Sequence, residues 1–288
     1  MKTLRLLMTD SSRCSEVPGV LLLLLLIVLP LSAMGQRNRW TLPGYKETVR
    51  TASFTVGNSF ARDTYLSQSS YDGWAFGLEQ DSWTGYKPSR LFRYGRFHSS
   101  ILFSSLNNSI NGGSTLELMT SDHYSFMWPA VESDVCDLLV GPLATLELGV
   151  LYNRQNSNNP ASAEGYLGAG VCVDNTLRFN LFRHEMALLT TLYLPLAGMG
   201  FAPDYDQPYW YIYRYNEYGK ALHFITQFNN PSFMGQVALT VPVAGGRVKI
   251  GYTLDYSSNR LGGHARRIGS SMFTVGFARR LELKGWNR

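Results

Sequence analysis

With 288 residues, the chain is long enough for one large β domain or for two domains of average size. Charged residues make up only 16% of the chain and aromatic residues 13%, a composition too apolar for an intrinsically disordered protein. The net charge of +5 is spread without a long basic run, so nucleic acid is not expected as a partner.

The N-terminus has the three parts of a secretory signal peptide. Basic residues precede an apolar run over 20–31, and the small residues of 32–35 follow it. The run is shorter than the roughly 20 residues that a membrane-spanning helix needs. We therefore predict a signal peptide over 1–35, cleaved ahead of Gln36, and an N-terminal periplasmic segment over 36–47. The mature chain keeps 26 − 3 = 23 basic and 21 − 2 = 19 acidic residues, a mild excess that allows attraction to anionic lipid.

Apolar and polar side chains alternate with period two through much of the remaining chain. Val248, Ile250 and Leu254, for example, alternate with small or polar residues, so one face of that segment is apolar. Such segments cover 48–60, 71–83, 94–106, 115–129, 136–154, 162–179, 185–200, 207–216, 219–229, 232–243, 246–258 and 268–283. Many reach the ~9–11 residues of a tilted membrane strand. We predict an all-β fold, a single transmembrane antiparallel β-barrel of about 12 strands over 48–283, with a C-terminal tail over 284–288.

A soluble β-sandwich shows the same alternation and is the alternative fold. The last segment favours the barrel, because Phe273 and Phe277 resemble the recognition signal in the terminal strand of outer-membrane barrels. Pro142, Pro195 and Pro242 fall inside predicted strands and argue against regular pairing at those points.

Two cysteines, Cys136 and Cys172, remain after the predicted cleavage, and in an exported protein they suggest a disulfide. We place them on neighbouring strands of a hairpin that turns near Ser157, with Cys136 opposite about Arg178. Arg178 and Cys172 are then separated by roughly 20 Å of strand, beyond the reach of a disulfide. Both cysteines are predicted to be free thiols.

Several local motifs resemble those of one protein family. They are Leu151–Pro160, Tyr193–Met199 with Phe201–Tyr205, His223-Phe224 with Asn229–Ser232, and Phe273–Phe277. On these motifs the chain, from about Ser53 to Leu281, is similar to domain-of-unknown-function family 3316 (DUF3316), exported proteins of gut and oral Gram-negative anaerobes. The resemblance implies a barrel-like outer-membrane protein, and it transfers no catalytic residue.

The most enzyme-like feature is the pair His98 and Ser100, which share one face of a predicted strand. An outer-membrane phospholipase uses a similar His-x-Ser arrangement, in which the histidine removes the serine proton. The present chain departs from that pattern, because Ile101 and Leu102 follow the serine. A lipid-modifying outer-membrane hydrolase is therefore an alternative function, and lumen polar residues without catalysis are the simpler interpretation.

A larger set of polar side chains lies on faces predicted to point into the barrel. The set comprises Glu79, Asp81, Arg96, His98, Glu117, Glu147, His223, Gln227, Lys249 and Asp255. Basic side chains that face lipid would cost on the order of 2–4 kcal/mol each, so inward placement is favoured. The set is interpreted either as a salt-bridged plug or as a polar passage or small-ligand pocket. The 5 histidines form no ligand set and no cofactor motif occurs, so neither metal nor cofactor is predicted.

Tyr209, Tyr211, Tyr213 and Tyr215 share one face of a predicted strand. Such a row is typical either of an interfacial girdle or of a surface that stacks sugars, so a soluble sugar-binding β-sandwich is the second alternative function. The leading hypothesis is an outer-membrane barrel, structural or concerned with small-solute passage or binding. Its expected partners are outer-membrane lipid and, during biogenesis, the barrel-insertion machinery; the oligomeric state is left open.

Overall fold

The computed structural model describes residues 42–87, 92–157, 160–204 and 207–282. The predicted signal peptide and the C-terminal tail lie outside these residues, as does most of the predicted periplasmic segment. The described chain forms eleven β-strands and one short helix, α1 (Tyr209–Tyr215). The strands are β1 (Glu47–Asp63), β2 (Tyr71–Gly85), β3 (Tyr94–Asn107), β4 (Ser114–Glu132), β5 (Cys136–Asn153), β6 (Ala161–Leu181), β7 (His184–Phe201), β8 (Leu222–Thr226), β9 (Ser232–Val243), β10 (Gly246–Leu261) and β11 (His264–Glu282).

Ten of these strands close into an antiparallel barrel. Strands β1 to β7 pair in chain order, β7 pairs with β9, and β9, β10 and β11 continue the order. β11 then pairs with β1 from Glu47 to Asp63, which closes the sheet and removes its free edges. The remaining strand, β8, pairs with β7 and stays outside the closed ring. The predicted all-β barrel is confirmed, but the predicted count of about twelve strands is wrong, because the barrel has ten.

Both lost strands fall between β7 and β9. The segment predicted as a strand over 207–216 contains α1, which follows Pro208 and ends where Asn216 takes a left-handed conformation (φ 56°). This segment is aromatic or apolar at odd and even positions alike, so it lacks the contrast between two faces that a barrel strand needs. Ile212 is its buried side chain, while Tyr213 remains exposed. The segment predicted over 219–229 contains only the five residues of β8.

The Gln227 side chain joins the irregular segment between β8 and β9 to the barrel wall. Its amide nitrogen donates to the backbone oxygen of Ser232 at 2.6 Å and to that of Pro195. Its amide oxygen accepts from the Ser232 N–H at 3.2 Å. These bonds replace ladder hydrogen bonds where β7 and β9 no longer pair.

The three prolines inside strands interrupt pairing in different ways. Pro195 lies where the register between β6 and β7 shifts, so the expected irregularity occurs there. Pro142 and Pro242 pair regularly on one side only, opposite Val171 and Arg247 respectively. On the other side the β4–β5 ladder skips Pro142 and the β7–β9 ladder ends at Thr240, before Pro242, so regular pairing is interrupted there as expected.

Neither cysteine forms a disulfide, and Cys136 and Cys172 are both free. Cys136 lies opposite Leu177, one position from the predicted Arg178, and Cys172 lies opposite Gly141. The separation of five residue steps between Cys172 and Leu177 corresponds to roughly 17 Å of strand, which explains why no bridge forms.

The two ends of the barrel differ. β1 begins and β11 ends at one end, here called the terminal end. The opposite end, here called the mouth, is covered by the connection that contains α1. Tyr209 of α1 accepts a hydrogen bond from the Ala163 N–H of β6 at 2.6 Å, and Tyr65 beyond β1 donates to the Gln207 oxygen at 3.2 Å. The connection therefore lies across the mouth from β6 to β1.

Candidate functional site

A network of ion pairs crosses the barrel lumen around Asp81 of β2. Its Oδ2 accepts from Lys249 Nζ at 2.7 Å, and its Oδ1 lies 2.9 Å from His98 Nδ1 and 3.3 Å from Arg96 Nη2. These partners come from β10 and β3, so one carboxylate links three strands. Asp81, Arg96 and Lys249 are each at most 4% exposed. Because a buried charge without a partner is costly, this pairing is what allows the charges inside the barrel.

Arg96 extends the network to the opposite wall. Its guanidinium donates to Asp174 of β6 and, at 2.7 Å, to Thr191 Oγ1 of β7. The guanidinium carbon also lies 4.8 Å from the ring centre of Trp83 and 5.2 Å from that of Tyr193, which adds cation–π attraction. Asp81, Arg96, Asp174 and Lys249 together carry two negative and two positive charges, and they are called the lumen ion network below.

Further hydrogen bonds continue from the lumen ion network toward the mouth. Lys249 Nζ donates to Gln236 Oε1 at 2.9 Å, and Gln236 Nε2 donates to Glu79 Oε2 at 3.1 Å. Thr253 Oγ1 donates to the other Glu79 oxygen at 3.2 Å. Side chains from β2, β9 and β10 thus form a hydrogen-bonded partition across the lumen.

On the mouth side of this partition lies a cavity of about 50 Å³, called the acidic cavity below. Its lining includes Glu79, Glu117, Glu147 and Asp255 together with several serine and threonine hydroxyls. Glu117 accepts from Ser59 Oγ at 2.6 Å and from Ser104. Within the described ranges Glu117, Glu147 and Asp255 form no ion pair, and no three acidic, histidine or cysteine side chains are arranged to hold a metal ion.

A second inward arginine lies nearer the mouth. Arg266 Nε of β11 lies 2.7 Å from Glu164 Oε2, and its Nη1 lies 3.6 Å from Asp63 Oδ2. Ser162 donates to the same Asp63 oxygen at 2.6 Å. These contacts join β1, β6 and β11 above the acidic cavity.

The structure brings together most of the residues singled out from the sequence. Asp81, Arg96 and Lys249 belong to the lumen ion network, and His98 lies beside it through Asp81. Glu79, Glu147, Asp255 and Ser100 line the acidic cavity.

Two of the predicted lumen residues do not join this group. His223 lies on β8, with Nε2 3.0 Å from the Ala202 oxygen, and Gln227 bonds to backbone in the wall. The physical reason is the short β8, which ends the regular alternation of faces on which both placements depended.

The His98 ring has the partners of a structural residue. It lies 2.9 Å from Asp81, and its ring is 5.8 Å from that of His123 and 5.7 Å from that of Tyr193. Its Nε2 has no hydrogen-bond partner in the described structure, and Ser100 forms no hydrogen bond to it there. His98 is fully buried, away from the outer face of the barrel. His98 and Asp81 can therefore take part in the charge pairing across the lumen. A lipid substrate has no approach to the buried His98 ring.

Sequence reasoning missed several members of the lumen network. Asp174, Thr191 and Gln236 were within predicted strands but were not assigned to the lumen. Asp174 is two residues from the buried Cys172 on β6, and Gln236 is two residues from the buried Met234 on β9. Alternation with period two could therefore have placed both side chains on the inner face of the barrel. Which acid would meet which base could not be read in the same way, because it depends on the register across non-adjacent strands.

The closed antiparallel ring, with charged groups inside and apolar side chains outside, defines a β-barrel protein with a filled interior. The chain belongs to the DUF3316 family of proteins of unknown function, whose family model matches residues 20–285.

Among solved structures, the chain is similar to the outer membrane protease OmpT from Escherichia coli, at 8% identity and a TM-score of 0.46, over 82% of this chain and 96% of that one. It is also similar to a Pseudomonas aeruginosa FadL homologue at 8% identity and a TM-score of 0.18, over 83% of this chain and 90% of that one. No curated protein matches the chain. In the described residues no helix has the length and apolar character to cross a membrane.

Proposed function

We propose that the protein is an integral outer-membrane β-barrel with a closed lumen, which has a structural role and does not conduct solutes. The outer faces of β1 and β11 are the main support for this proposal. Both faces are free of charged side chains between an arginine near the terminal end and an arginine near the mouth. The intervening outward residues are Ala52, Phe54, Val56, Asn58 and Phe60 on β1, and Gly269, Ser271, Phe273, Val275 and Phe277 on β11.

The spacing of the four arginines fits the thickness of a membrane. Arg50 pairs with Arg279 and Arg62 pairs with Arg267, and the two levels are 62 − 50 = 12 residues apart. Twelve residues of strand extend roughly 40 Å. At a tilt of roughly 45° the rise along the barrel axis is about 28 Å, close to the ~25 Å apolar band of outer-membrane barrels.

Other strands present the same kind of surface. On β5 every outward residue from Leu138 to Tyr152 is apolar, and Leu148 is 52% exposed. A belt of exposed apolar side chains around a whole barrel is an aggregation liability in water and is stable in hydrocarbon. Asp122 of β4 and Asp72 of β2 are acidic residues on this outer face. Asp122 lies opposite Leu146 of β5, and the outward aromatic side chains Tyr124, Phe126 and Trp128 follow it toward the terminal end.

The interior supports a closed barrel and not an open pore. An apolar layer that includes Met127 and Leu139 fills the lumen at the terminal end, and a second apolar layer that includes Leu106 and Leu151 lies toward the mouth. The lumen ion network and the acidic cavity lie between them. This cavity and another beside the network measure about 50 and 40 Å³, which is room for a few water molecules.

The position of the two ends of the barrel domain and the sequence of its last strand are consistent with the usual route of export and insertion into the outer membrane. An even number of barrel strands puts both ends of the barrel domain on one side, which we assign to the periplasm. The predicted signal peptide would provide export, and the terminal strand with Phe273 and Phe277 would be presented to the barrel-insertion machinery. Outer-membrane lipid would then be the principal partner.

Membrane fractionation combined with electrophoresis tests this proposal. We expect the mature protein in the outer-membrane fraction, and we expect unheated samples to migrate differently from boiled ones because a closed barrel resists detergent. In planar bilayers the purified protein should produce no conductance steps. A freely soluble protein would reject the membrane assignment, whereas stepwise conductance would reject the closed lumen alone.

A further inference from the structure

Three arginines point outward at the mouth, on three neighbouring strands. Arg62 of β1 lies directly opposite Arg267 of β11. Arg260 of β10 is two residues beyond Ser258, which is the β10 partner of Arg267. Diagonal neighbours of this kind are about 7–8 Å apart, within reach of long side chains. All three side chains are exposed, and they are called the mouth arginine cluster below.

No acidic side chain among the described residues compensates this cluster. Arg62, Arg260 and Arg267 form no ion pair or hydrogen bond there, in contrast to the adjacent Arg266, which faces inward onto Glu164. Asp72 of β2 lies opposite Phe60 and is therefore a diagonal neighbour of Arg62, but it forms no ion pair in the described structure. Because like charges directly opposite each other destabilise a β-ladder, an external anion between the guanidinium groups would relieve the repulsion.

The residues just below the cluster are aromatic. The rings of Phe60 and Tyr256 approach to 6.4 Å over Gly269, where a Cβ atom would lie 2.5 Å from the Phe60 ring. Phe233 continues the row, at 6.1 Å from Tyr256. Aromatic rings at this level mark the boundary between the apolar belt and the aqueous phase. The mouth arginine cluster therefore lies at the height of lipid headgroups.

From this arrangement we infer that the mouth arginine cluster binds the phosphate groups of an anionic lipid in the membrane leaflet around the mouth. The inference rests on the proposed function, because it needs the barrel to be embedded up to the aromatic row. Guanidinium groups bind phosphate oxygens with two parallel hydrogen bonds, and three of them on one surface match a doubly charged phosphate. The aromatic row would lie against the upper part of the lipid, so a lipid phosphate fits this site better than a free phosphate ion.

The terminal end offers a matched control. Arg50 and Arg279 form the same kind of directly opposed pair, but no third arginine joins them from β10, whose outward residue at that level is Val248. Arg247 is buried and faces inward. Substitutions at Arg50 and Arg279 thus remove exposed positive charge from the same ladder without touching the mouth arginine cluster.

Lipid binding by the purified full-length mature protein in neutral detergent tests the inference. The probe is diphosphorylated lipid A, titrated by native mass spectrometry against the wild type, an R62Q/R260Q/R267Q variant and an R50Q/R279Q variant. We expect affinity at least about tenfold lower in the triple variant and within about twofold of wild type in the double variant. Dephosphorylated lipid A should bind the wild type as weakly as the triple variant binds the phosphorylated lipid.

Three results would overturn the inference. They are unchanged lipid binding by the triple variant, an equal loss in the double variant, and displacement of the lipid by equimolar inorganic phosphate. Heat-dependent migration of each variant on gels shows whether the barrel has formed. A triple variant that keeps this behaviour and its outer-membrane location but binds lipid normally rejects the lipid site alone, whereas a wild-type protein found outside the membrane rejects the proposed function.

Discussion

Two regions of the lumen, the lumen ion network and the acidic cavity, carry charge in different ways; above the cavity Arg266 again pairs with Glu164 and Asp63. Toward the terminal end, Asp81, Arg96, Asp174 and Lys249 balance one another through direct ion pairs. Toward the mouth, Glu117, Glu147 and Asp255 line a cavity without an ion pair within the described structure, and Glu117 is held by hydroxyl groups instead. Burying a charge is tolerated where a partner is already in place. The comparison indicates that the lumen ion network fixes the barrel, whereas the acidic cavity is open to substitution.

The largest effect is expected when Arg96 is lost. An Arg96→Gln substitution leaves Asp174 without its ionic partner and removes one partner of Asp81, while both remain buried. Breaking a buried pair in this way costs about 3–5 kcal/mol, so the urea midpoint for unfolding from lipid vesicles should fall strongly. Arg96→Lys is the charge-preserving control and should retain part of the stability. An unchanged midpoint in Arg96→Gln would show that the network does not hold the barrel.

The pair of Lys249 and Asp81 offers a double-mutant cycle. Lys249→Met removes the ammonium group that lies 2.7 Å from Asp81, and Asp81→Asn removes the carboxylate. Each single variant should lose about 2–4 kcal/mol, and the double variant should lose less than the sum of the two. Additive losses in the same unfolding titration would mean that the two groups do not stabilise each other.

A smaller, local effect is expected at the join between β8 and β9. Gln227→Ala removes three hydrogen bonds to the backbones of Pro195 and Ser232. The loss should be about 1–3 kcal/mol. It should appear as faster amide hydrogen exchange in 227–235, with little change in β1 to β5. Gln227→Glu keeps the acceptor for the Ser232 N–H and serves as a partial control; uniform exchange across the barrel would contradict a local role.

The smallest effect is expected in the acidic cavity. Glu147→Gln removes a carboxyl group that has no ion pair within the described residues and keeps a side chain of similar shape. Stability should change by less than about 1 kcal/mol, because no ion pair is lost with the carboxyl group. A loss comparable to that of Arg96→Gln would abolish the distinction between these two regions of the lumen.

Most strands could be predicted from the sequence because they have strong period-two patterns, whereas the choice of a barrel over a sandwich rested on the terminal strand. Val248, Ile250 and Leu254 of β10, for example, all face outward as predicted. The prediction from this pattern was wrong between β7 and β9, where α1 forms instead of a strand. Aromatic residues occupy both odd and even positions there. The helix is held by the hydrogen bond between Tyr209 and Ala163 at the mouth and by the burial of Ile212, which local alternation does not encode.

The lumen was partly readable from the sequence for the same reason. The alternation of faces along each strand placed Asp81, Arg96 and Lys249 on the inner face. It could not predict that Arg96 pairs with Asp174, 78 residues away on β6. Such pairs depend on strand number and on the stagger that brings distant strands to the same level of the barrel. The barrel has ten strands because the segment 209–215 forms a helix and not a strand. This strand number therefore determines contacts far from that helix.

The most direct test of the membrane account is the effect of one charge in the middle of the outer face. Val275 of β11 is 45% exposed, lies opposite Phe54 and is between the two arginine levels, four residues from Arg279 and eight from Arg267. If this face contacts hydrocarbon, Val275→Lys should reduce the free energy of folding into lipid vesicles by about 2–4 kcal/mol, measured by urea titration. If the variant folded as stably as the wild type, the outer face would be in contact with water, and the proposed membrane barrel would be wrong.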